Sequence, residues 1–271
     1  MVTYSGVTMY RCTLRGSCAT IKNCHRMGIG AGLGGAQTVI DLHTHVLPKI
    51  DDGSDSVETS AGMLHRMAQH GVDVVCATPH FYRDRTDVET FLSRRDAAWQ
   101  RLQQAQPLPV PLVLGAEVTY YSGISEEKNL HQLCLEGTNT LLLEMPYSDW
   151  NSFQIDEVMS LAWDCGFDVV LVHPERLTMG ANNKRYLHML YSLPMQVNAG
   201  ALRQWRTRRG ALEILQNTAK PLLGSDCHNL KSRAPNLWEG RSVVERKLGR
   251  EFLSDMDQNA QMLLQPRFES V

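Results

Sequence analysis

The sequence predicts an α/β protein built on a parallel, barrel-like sheet, and three observations carry that prediction. Short apolar runs alternate with longer amphipathic stretches from Thr38 onward, the pattern of strands joined by crossover helices. Seven strand candidates follow one another without a break in composition, which suits one barrel better than two domains. Polar residues with chemical potential close one apolar run after another, and the C-terminal rim of a parallel barrel carries its active site.

The elements read in order as follows. Thr38–His43 is the first strand. Ser56–His70 is a helix with Met63, Leu64 and Met67 on one face and Gly71 as its stop. Val72–Thr78 is the second strand. Asp87–Gln104 is helical, with Phe91, Trp99 and Leu102 turned inward, and the prolines at 107, 109 and 111 end it. Leu112–Glu117 and Thr140–Glu144 are strands, and Asn151–Cys165 is a helix ended by Gly166. Phe167–His173 has the longest apolar strand run. A helix near Asn182–Tyr191, a strand at Met195–Asn198, a helix near Gly210–Gln216, a strand at Leu222–Ser225 and a helix at Glu239–Leu248 complete the chain.

Residues 1–38 stand apart. They hold no Asp or Glu, three cysteines (Cys12, Cys18, Cys24) and a Gly-rich end from Gly28 to Gly35. An acid-poor, basic segment has the composition of a transit peptide. The simpler reading is a disordered extension, or non-native upstream sequence read through before a true start at Met27, so the folded domain is expected over 39–271. Its cysteines lack partner histidines at a metal-site spacing.

With 271 residues the chain can bury a large single core. A net charge of -2 supplies no global basic field for nucleic acid or a membrane surface. No apolar run approaches the ~18 residues of a membrane span. The seven cysteines form no CxxC pair, which points to reduced thiols in a cytoplasmic protein.

The stretch Ile40-Asp41-Leu42-His43-Thr44-His45 organises the chemistry. Strand side chains alternate, so His43 and His45 share a face and can hold one metal ion. Asp226 and His228 repeat that spacing. The candidate ligands are His43, His45, Asp52, His80, Glu117, Glu144, His173, Asp226 and His228. Most of them lie at or just after a strand end. A carboxylate closing a run such as Leu141-Leu142-Leu143-Glu144 is costly to bury unless paired or metal-bound. Mixed imidazole and carboxylate ligands suit Mn, Fe or Zn better than Ca or a thiolate zinc site. A lone buried histidine is usually hydrogen-bonded core, and a lone strand-end Asp usually a helix cap. It is their common location that points to a metal centre. His65 and His70 fall within a helix, and His25, His131 and His188 lack strand-end context, so these five read as structural or solvated. Chemistry alone does not choose between Asp51 and Asp52.

Asp41-Leu42-His43-Thr44-His45 with Asp51-Asp52-Gly53, then Thr78-Pro79-His80, Gly115-Ala116-Glu117, Leu143-Glu144, His173-Pro174-Glu175-Arg176 and Ser225-Asp226-Cys227-His228-Asn229, resemble in order the polymerase-and-histidinol-phosphatase (PHP) superfamily. Together they are similar to the bacterial tyrosine-protein phosphatases of capsule and exopolysaccharide synthesis, over about residues 39–265. The resemblance implies a distorted (β/α)7 TIM-like barrel of the PHP type with three divalent metal ions, commonly manganese, with Fe, Zn and Mg as alternatives. It assigns His43, His45, Glu117 and Asp226 to one metal. Glu117, Glu144 and His173 fall to a second, and Asp52, His80 and His228 to a third. It selects Asp52 over Asp51. It implies a phosphotyrosine protein substrate, a bacterial tyrosine kinase. The N-terminal extension departs from the family.

Arg176 and Arg233 follow ligand positions closely, and a guanidinium fork suits phosphate. They are the expected phosphate-binding residues, with His43 and Asp226 beside them as catalytic candidates. Three divalent ions against four carboxylates leave about +2, matching a phosphomonoester of roughly -1.5 to -2. A water made acidic by the cations is the expected nucleophile. Arg203, Arg206, Arg208 and Arg209 read as a solvated face, or as a dock for an acidic partner. Met145-Pro146-Tyr147 reads as an apolar lip or as packing. Three rival readings stand beside this one. Cys227 to Arg233 has the Cys-x5-Arg spacing of a thiolate phosphatase loop but lacks its glycines. A histidinol-phosphate or other small-molecule phosphatase would share the metals. A non-catalytic metal-binding regulatory module is the reading from another class.

Overall fold

The computed structural model describes residues 37–105, 107–177 and 181–265. The expected extension, with Cys12, Cys18, Cys24 and His25, lies outside them apart from Gln37 and Thr38. Those two are already held: the Gln37 amide donates to the Ser254 carbonyl at 2.7 Å, and the Gln261 amide donates to the Thr38 carbonyl at 3.2 Å.

The first strand, β1 (Ile40–Thr44), is buried along its whole length. Helix α1 (Val57–Gln69) starts where the Ser56 side chain accepts from the Thr59 N–H, and stops before Gly71, whose φ of 77° suits glycine. Strand β2 (Val74–Ala77) pairs in parallel with β1. The chain then kinks at Thr78-Pro79 and resumes as β3 (His80–Phe81). Helix α2 (Val88–Ala105) buries Phe91 and Leu102 as expected, while Trp99 is only half-buried.

The expected strand Leu112–Glu117 is two pieces, β4 (Leu112–Leu114) and β5 (Glu117–Thr119), broken at Gly115-Ala116. The breaks lie side by side, because the Gly115 N–H donates to Ala77 O and the Glu117 N–H to Pro79 O. Pro79 has no ladder donor, and a Cβ on Gly115 would lie 2.7 Å from Leu135 Cδ2. Both strands bend here, and the bend carries His80 and Glu117 together toward the rim.

Strand β6 (Thr140–Glu144), helix α3 (Ser152–Trp163) and strand β7 (Asp168–Val172) follow, α3 being opened by a reciprocal Asn151–Gln154 capping box. Next come α4 (Pro174–Leu177), α5 (Ala181–Met189), β8 (Pro194–Asn198), α6 (Ala199–Arg203), α7 (Trp205–Asn217) and β9 (Lys220–Gly224). The chain closes with α8 (Leu237–Leu248) and α9 (Arg250–Leu263). Helix α7 begins before the expected Gly210: its opening stretch Arg206–Arg209 is polar and its first residue, the apolar Trp205, is exposed, so no buried apolar stripe marks the start. The short α6 and the long α9 were not expected. Helix α9 packs on β9 and β1 through Met256, Ala260 and Leu263.

All strand pairs are parallel. With each bent pair, β2/β3 and β4/β5, taken as one strand, the described residues form seven strands in chain order from β1 to β9. The chain beyond β9 returns to β1: the His45 N–H donates to Cys227 O and the Asp226 N–H to His43 O, both at 2.9 Å. This is the distorted (β/α)7 barrel that the resemblance implied. Among the described residues no helix is long and apolar enough to cross a membrane.

Helices α6 and α8 meet at Gly240, where an added Cβ would lie 2.6 Å from Ala199 Cβ and 2.8 Å from its Cα. Gly240→Ala is therefore expected to destabilise by about 1–3 kcal/mol through overpacking. Thermal unfolding checks this at roughly 2–4 °C per kcal/mol, and an unchanged midpoint would contradict the packing described.

Candidate metal centre

Donors arrive at one point from six strand ends and the loops beyond them. His43 and His45 come from β1, and their Nε2 atoms lie 3.2 Å apart. Glu117 opens β5 just past the kink and sits at the centre. Its Oε2 is 3.1 Å from His43 Nε2, 3.2 Å from His45 Nε2 and 2.9 Å from His80 Nδ1. Its Oε1 is 2.7 Å from His173 Nε2. Glu144 ends β6, 3.6 Å from His173 Nε2. Asp226 Oδ1 lies 3.5 Å from His45 Nε2 and 3.8 Å from His43 Nε2. Asp52 Oδ1 stands 3.5 Å from His80 Nε2 and 3.4 Å from His228 Nε2. All nine expected ligands thus fall in one set of overlapping donor clusters.

Their grouping is less partitioned than the three expected sets. Four clusters have donor atoms within 4.8 Å of one another: His45, Asp52, His80 and His228; His43, His45 and Asp226; His43, Glu117 and His173; and His80, Glu117 and Glu144. His80 uses both ring nitrogens, one toward Asp52 and one toward Glu117. These residues suit a cation. Glu117 Oε2, His80 Nδ1 and His228 Nε2 are buried and make no well-formed hydrogen bond although carboxylate or imidazole groups crowd within 2.9–3.4 Å of them, and burial without such a bond is costly for polar atoms. Imidazole mixed with carboxylate suits manganese, iron or zinc.

A second layer holds the donors in place. His45 Nδ1 is 2.7 Å from Asp51 Oδ2, and Asp51 also accepts the backbone N–H groups of Gly53 and His80. Asp51 is thus the buried neighbour that orients His45, while Asp52 stands 66% exposed in the pocket. Gly53 is required here, since a Cβ would lie 2.4 Å from both His45 Cβ and its carbonyl oxygen. His43 Nδ1 meets Gln196 Oε1 at 2.9 Å. The Gln196 amide donates to Asn198 Oδ1, and the Asn198 amide donates to Asp226 Oδ2. Thr119 donates to Glu144. His173 and Asp226 adopt positive φ, 35° and 51°, the kind of backbone strain that clusters at functional sites.

Electrostatics follow from crowding. Burial pushes the Glu117 carboxyl up, but the imidazoles around it hold it well below its ordinary range. Asp226 is also lowered against burial, chiefly by His43 and His45. Burial opposes charge on His45, yet Asp51 and Glu117 raise it to about 10. His228 falls to about 3, through burial and then the charge of His45.

The two expected arginines grip Asp226 from both sides. Arg176 Nη1 donates to Oδ2 at 3.0 Å and Arg233 Nη2 to Oδ1 at 2.7 Å. Both remain partly exposed toward a cavity of about 1030 Å³, which Tyr147 also lines. Of the expected lip, Tyr147 is exposed with Arg176 above its ring at 5.8 Å, whereas Met145 is core. Cys227 is fully buried, and burial with the nearby Asp41 charge pushes its thiol well above the usual range, so the thiolate reading is set aside. His70, expected within the helix, caps the C-terminus of α1 and stacks on Trp238, while His65 inside α1 meets the Ala61 carbonyl. Sequence reasoning missed Gln196 and Asn198. Their signal was present, two amides at i, i+2 inside a buried strand run.

Seven parallel strands with histidines and carboxylates gathered at their C-terminal rim define a barrel of the PHP type. Within that class the chain belongs to the capsular polysaccharide synthesis family CpsB/CapC, whose family model matches residues 39–265. Tyrosine-protein phosphatase YwqE of Bacillus subtilis (strain 168) is 25% identical over 234 residues, covering 83% of this chain and 91% of that protein. Tyrosine-protein phosphatase CpsB of Streptococcus agalactiae serotype V is 24% identical over 249 residues, covering 85% of this chain and all of that protein. A chain from the crystal structures of YwqE from Bacillus subtilis and CpsB from Streptococcus pneumoniae, described as metal-dependent tyrosine phosphatases, matches with a TM-score of 0.73 at 24% identity. It covers 86% of this chain and 96% of that one, and the likeness shows the fold.

Proposed function

We propose that the chain is a metal-dependent protein-tyrosine phosphatase acting on a bacterial tyrosine kinase of capsule or exopolysaccharide synthesis, in the cytoplasm. One observation carries the reading. The donor cluster, centred on Glu117 and Asp226, adjoins two arginines that hold Asp226 and face an open cavity. We infer three divalent ions, manganese first. His43, His45, Glu117 and Asp226 would hold one, Glu117, Glu144 and His173 a second, and Asp52, His80 and His228 a third. Such ions supply charge neutralisation and an acidified water.

The chain's own residues do the rest. Arg176 and Arg233 present guanidinium forks that match non-bridging phosphoryl oxygens. Asp226 keeps both forks in place, and Asn198 keeps Asp226 in place. Tyr147 offers an aromatic face at the cavity, which favours an aryl ester over the small alkyl ester of histidinol phosphate. A tyrosinate leaving group, with a parent pKa of ~10, needs little protonation. Full-length protein assayed on a phosphotyrosine peptide is expected to lose nearly all activity when chelation strips its metal, and to regain it with manganese. Full activity after confirmed metal removal would refute the reading. A faster rate on histidinol phosphate would favour the small-molecule alternative.

Loading also carries a proton signature. His45, raised to about 10, is an imidazolium at neutral pH in the cation-free site and must lose its proton to ligate. Cation binding is therefore expected to release protons and to strengthen as pH rises. Titration calorimetry in buffers of different ionisation enthalpy measures the release, and a heat independent of buffer would contradict it.

A further inference from the structure

The cavity beside the donor cluster is larger than a phosphotyrosine needs. Its volume is about 1030 Å³, whereas pockets of roughly 300–1,000 Å³ already hold drug-sized molecules. Part of its wall is Arg176, Asp226 and Arg233, and another part is Arg203 of α6, the linking Gln204, and Arg206 and Thr207 of α7.

The four arginines that the sequence grouped as one solvated face have different fates. Arg208 is spent on the Leu202 and Arg203 carbonyls, at 2.6 and 2.8 Å. Arg203 pairs with Glu239. Arg209 lines a separate surface groove with Trp205 and Lys247. Arg206 lines the cavity, has no ion-pair partner among the described residues, and rests over the exposed Trp205 ring at 5.2 Å. That stacking restrains the guanidinium without neutralising it.

We propose that Arg206, backed by Trp205, forms a second anion subsite that takes an acidic side chain of the peptide carrying the target phosphotyrosine. The inference rests on the phosphatase reading above. An exposed arginine gains little from a free carboxylate. A carboxylate tethered to a phosphotyrosine already seated at Arg176 and Arg233 meets Arg206 at high effective concentration. The shared cavity therefore favours a flanking residue of the substrate over an unconnected anion or a lipid surface.

The test uses the full chain loaded with manganese and two peptides around one phosphotyrosine, with Asp/Glu or with Asn/Gln flanks. The acidic peptide is expected to be preferred about two- to fivefold in kcat/KM, through KM, and the preference should fade toward ~1 M salt. Arg206→Glu should remove or invert the preference while activity on the neutral peptide stays. Arg209→Glu, on the same helix but outside the cavity, should leave it intact. Equal use of both peptides by the wild type, an unchanged preference in Arg206→Glu, or an equal loss in Arg209→Glu would each overturn the subsite. If neither peptide is hydrolysed, the phosphatase reading fails, and fluorescence anisotropy decides the subsite alone. Tighter binding of the acidic peptide that Arg206→Glu abolishes supports it, and equal binding overturns it. Arg206-dependent binding to phosphatidylserine vesicles without any peptide preference would assign the residue to a membrane and also overturn it.

Discussion

Glu117→Gln is expected to lower kcat/KM on a phosphotyrosine peptide by at least about 10²–10³-fold and to cut the metal content of the purified protein. The carboxylate stands within 3.2 Å of ring nitrogens on His43, His45, His80 and His173, so every inferred ion either uses it or neighbours a residue that touches it. Loss of a partner that merely orients a ligand costs about 10–100-fold, and a shared ligand at the centre should cost more. The amide has nearly the same shape, so the fold should survive. Its missing charge leaves four crowded imidazoles without their common counter-ion. Elemental analysis alongside kinetics checks the prediction. A variant with full metal content and undiminished activity would remove Glu117 from the centre.

Arg233→Lys is the second large effect, and it should differ in kind. Lysine keeps the charge but loses the fork that now holds Asp226 Oδ1 at 2.7 Å and reaches toward Asp52 Oδ2 at 3.7 Å. A point charge cannot hold Asp226 and two phosphoryl oxygens at once. The expected loss is about 10²-fold in kcat/KM, the scale of removing one preorganised donor, with metal content unchanged. Retained metal with wild-type kinetics would argue that Arg233 only packs against Asp226. Metal loss equal to that of Glu117→Gln would make it a scaffold residue and not a phosphate ligand.

Much of the candidate centre was legible because burial is costly for charge. Glu144 after three leucines and His173 after an apolar run are anomalies visible in one dimension, and both proved to be buried beside Glu117. Residues that satisfy one another across strands were less legible. Gln196 and Asn198 are neutral amides, and nothing in their own stretch names His43 and Asp226 as partners. Asp51 and Asp52 are chemically identical neighbours. Their division of labour follows from Asp51 being covered, with His45 and two backbone N–H groups to satisfy, while Asp52 stays in the opening.

The alternation of strands and helices, and the carboxylates and imidazoles at the strand ends, can be read along the chain, because side-chain period and burial cost are local properties. Only the tertiary structure decided that β2/β3 and β4/β5 kink together, that His80 serves two neighbours, and that Arg206 shares a cavity with Arg176 while Arg209 does not. Those outcomes depend on how barrel closure and the packing of α6, α7 and α8 set distances between residues far apart in sequence, and no local pattern encodes such distances.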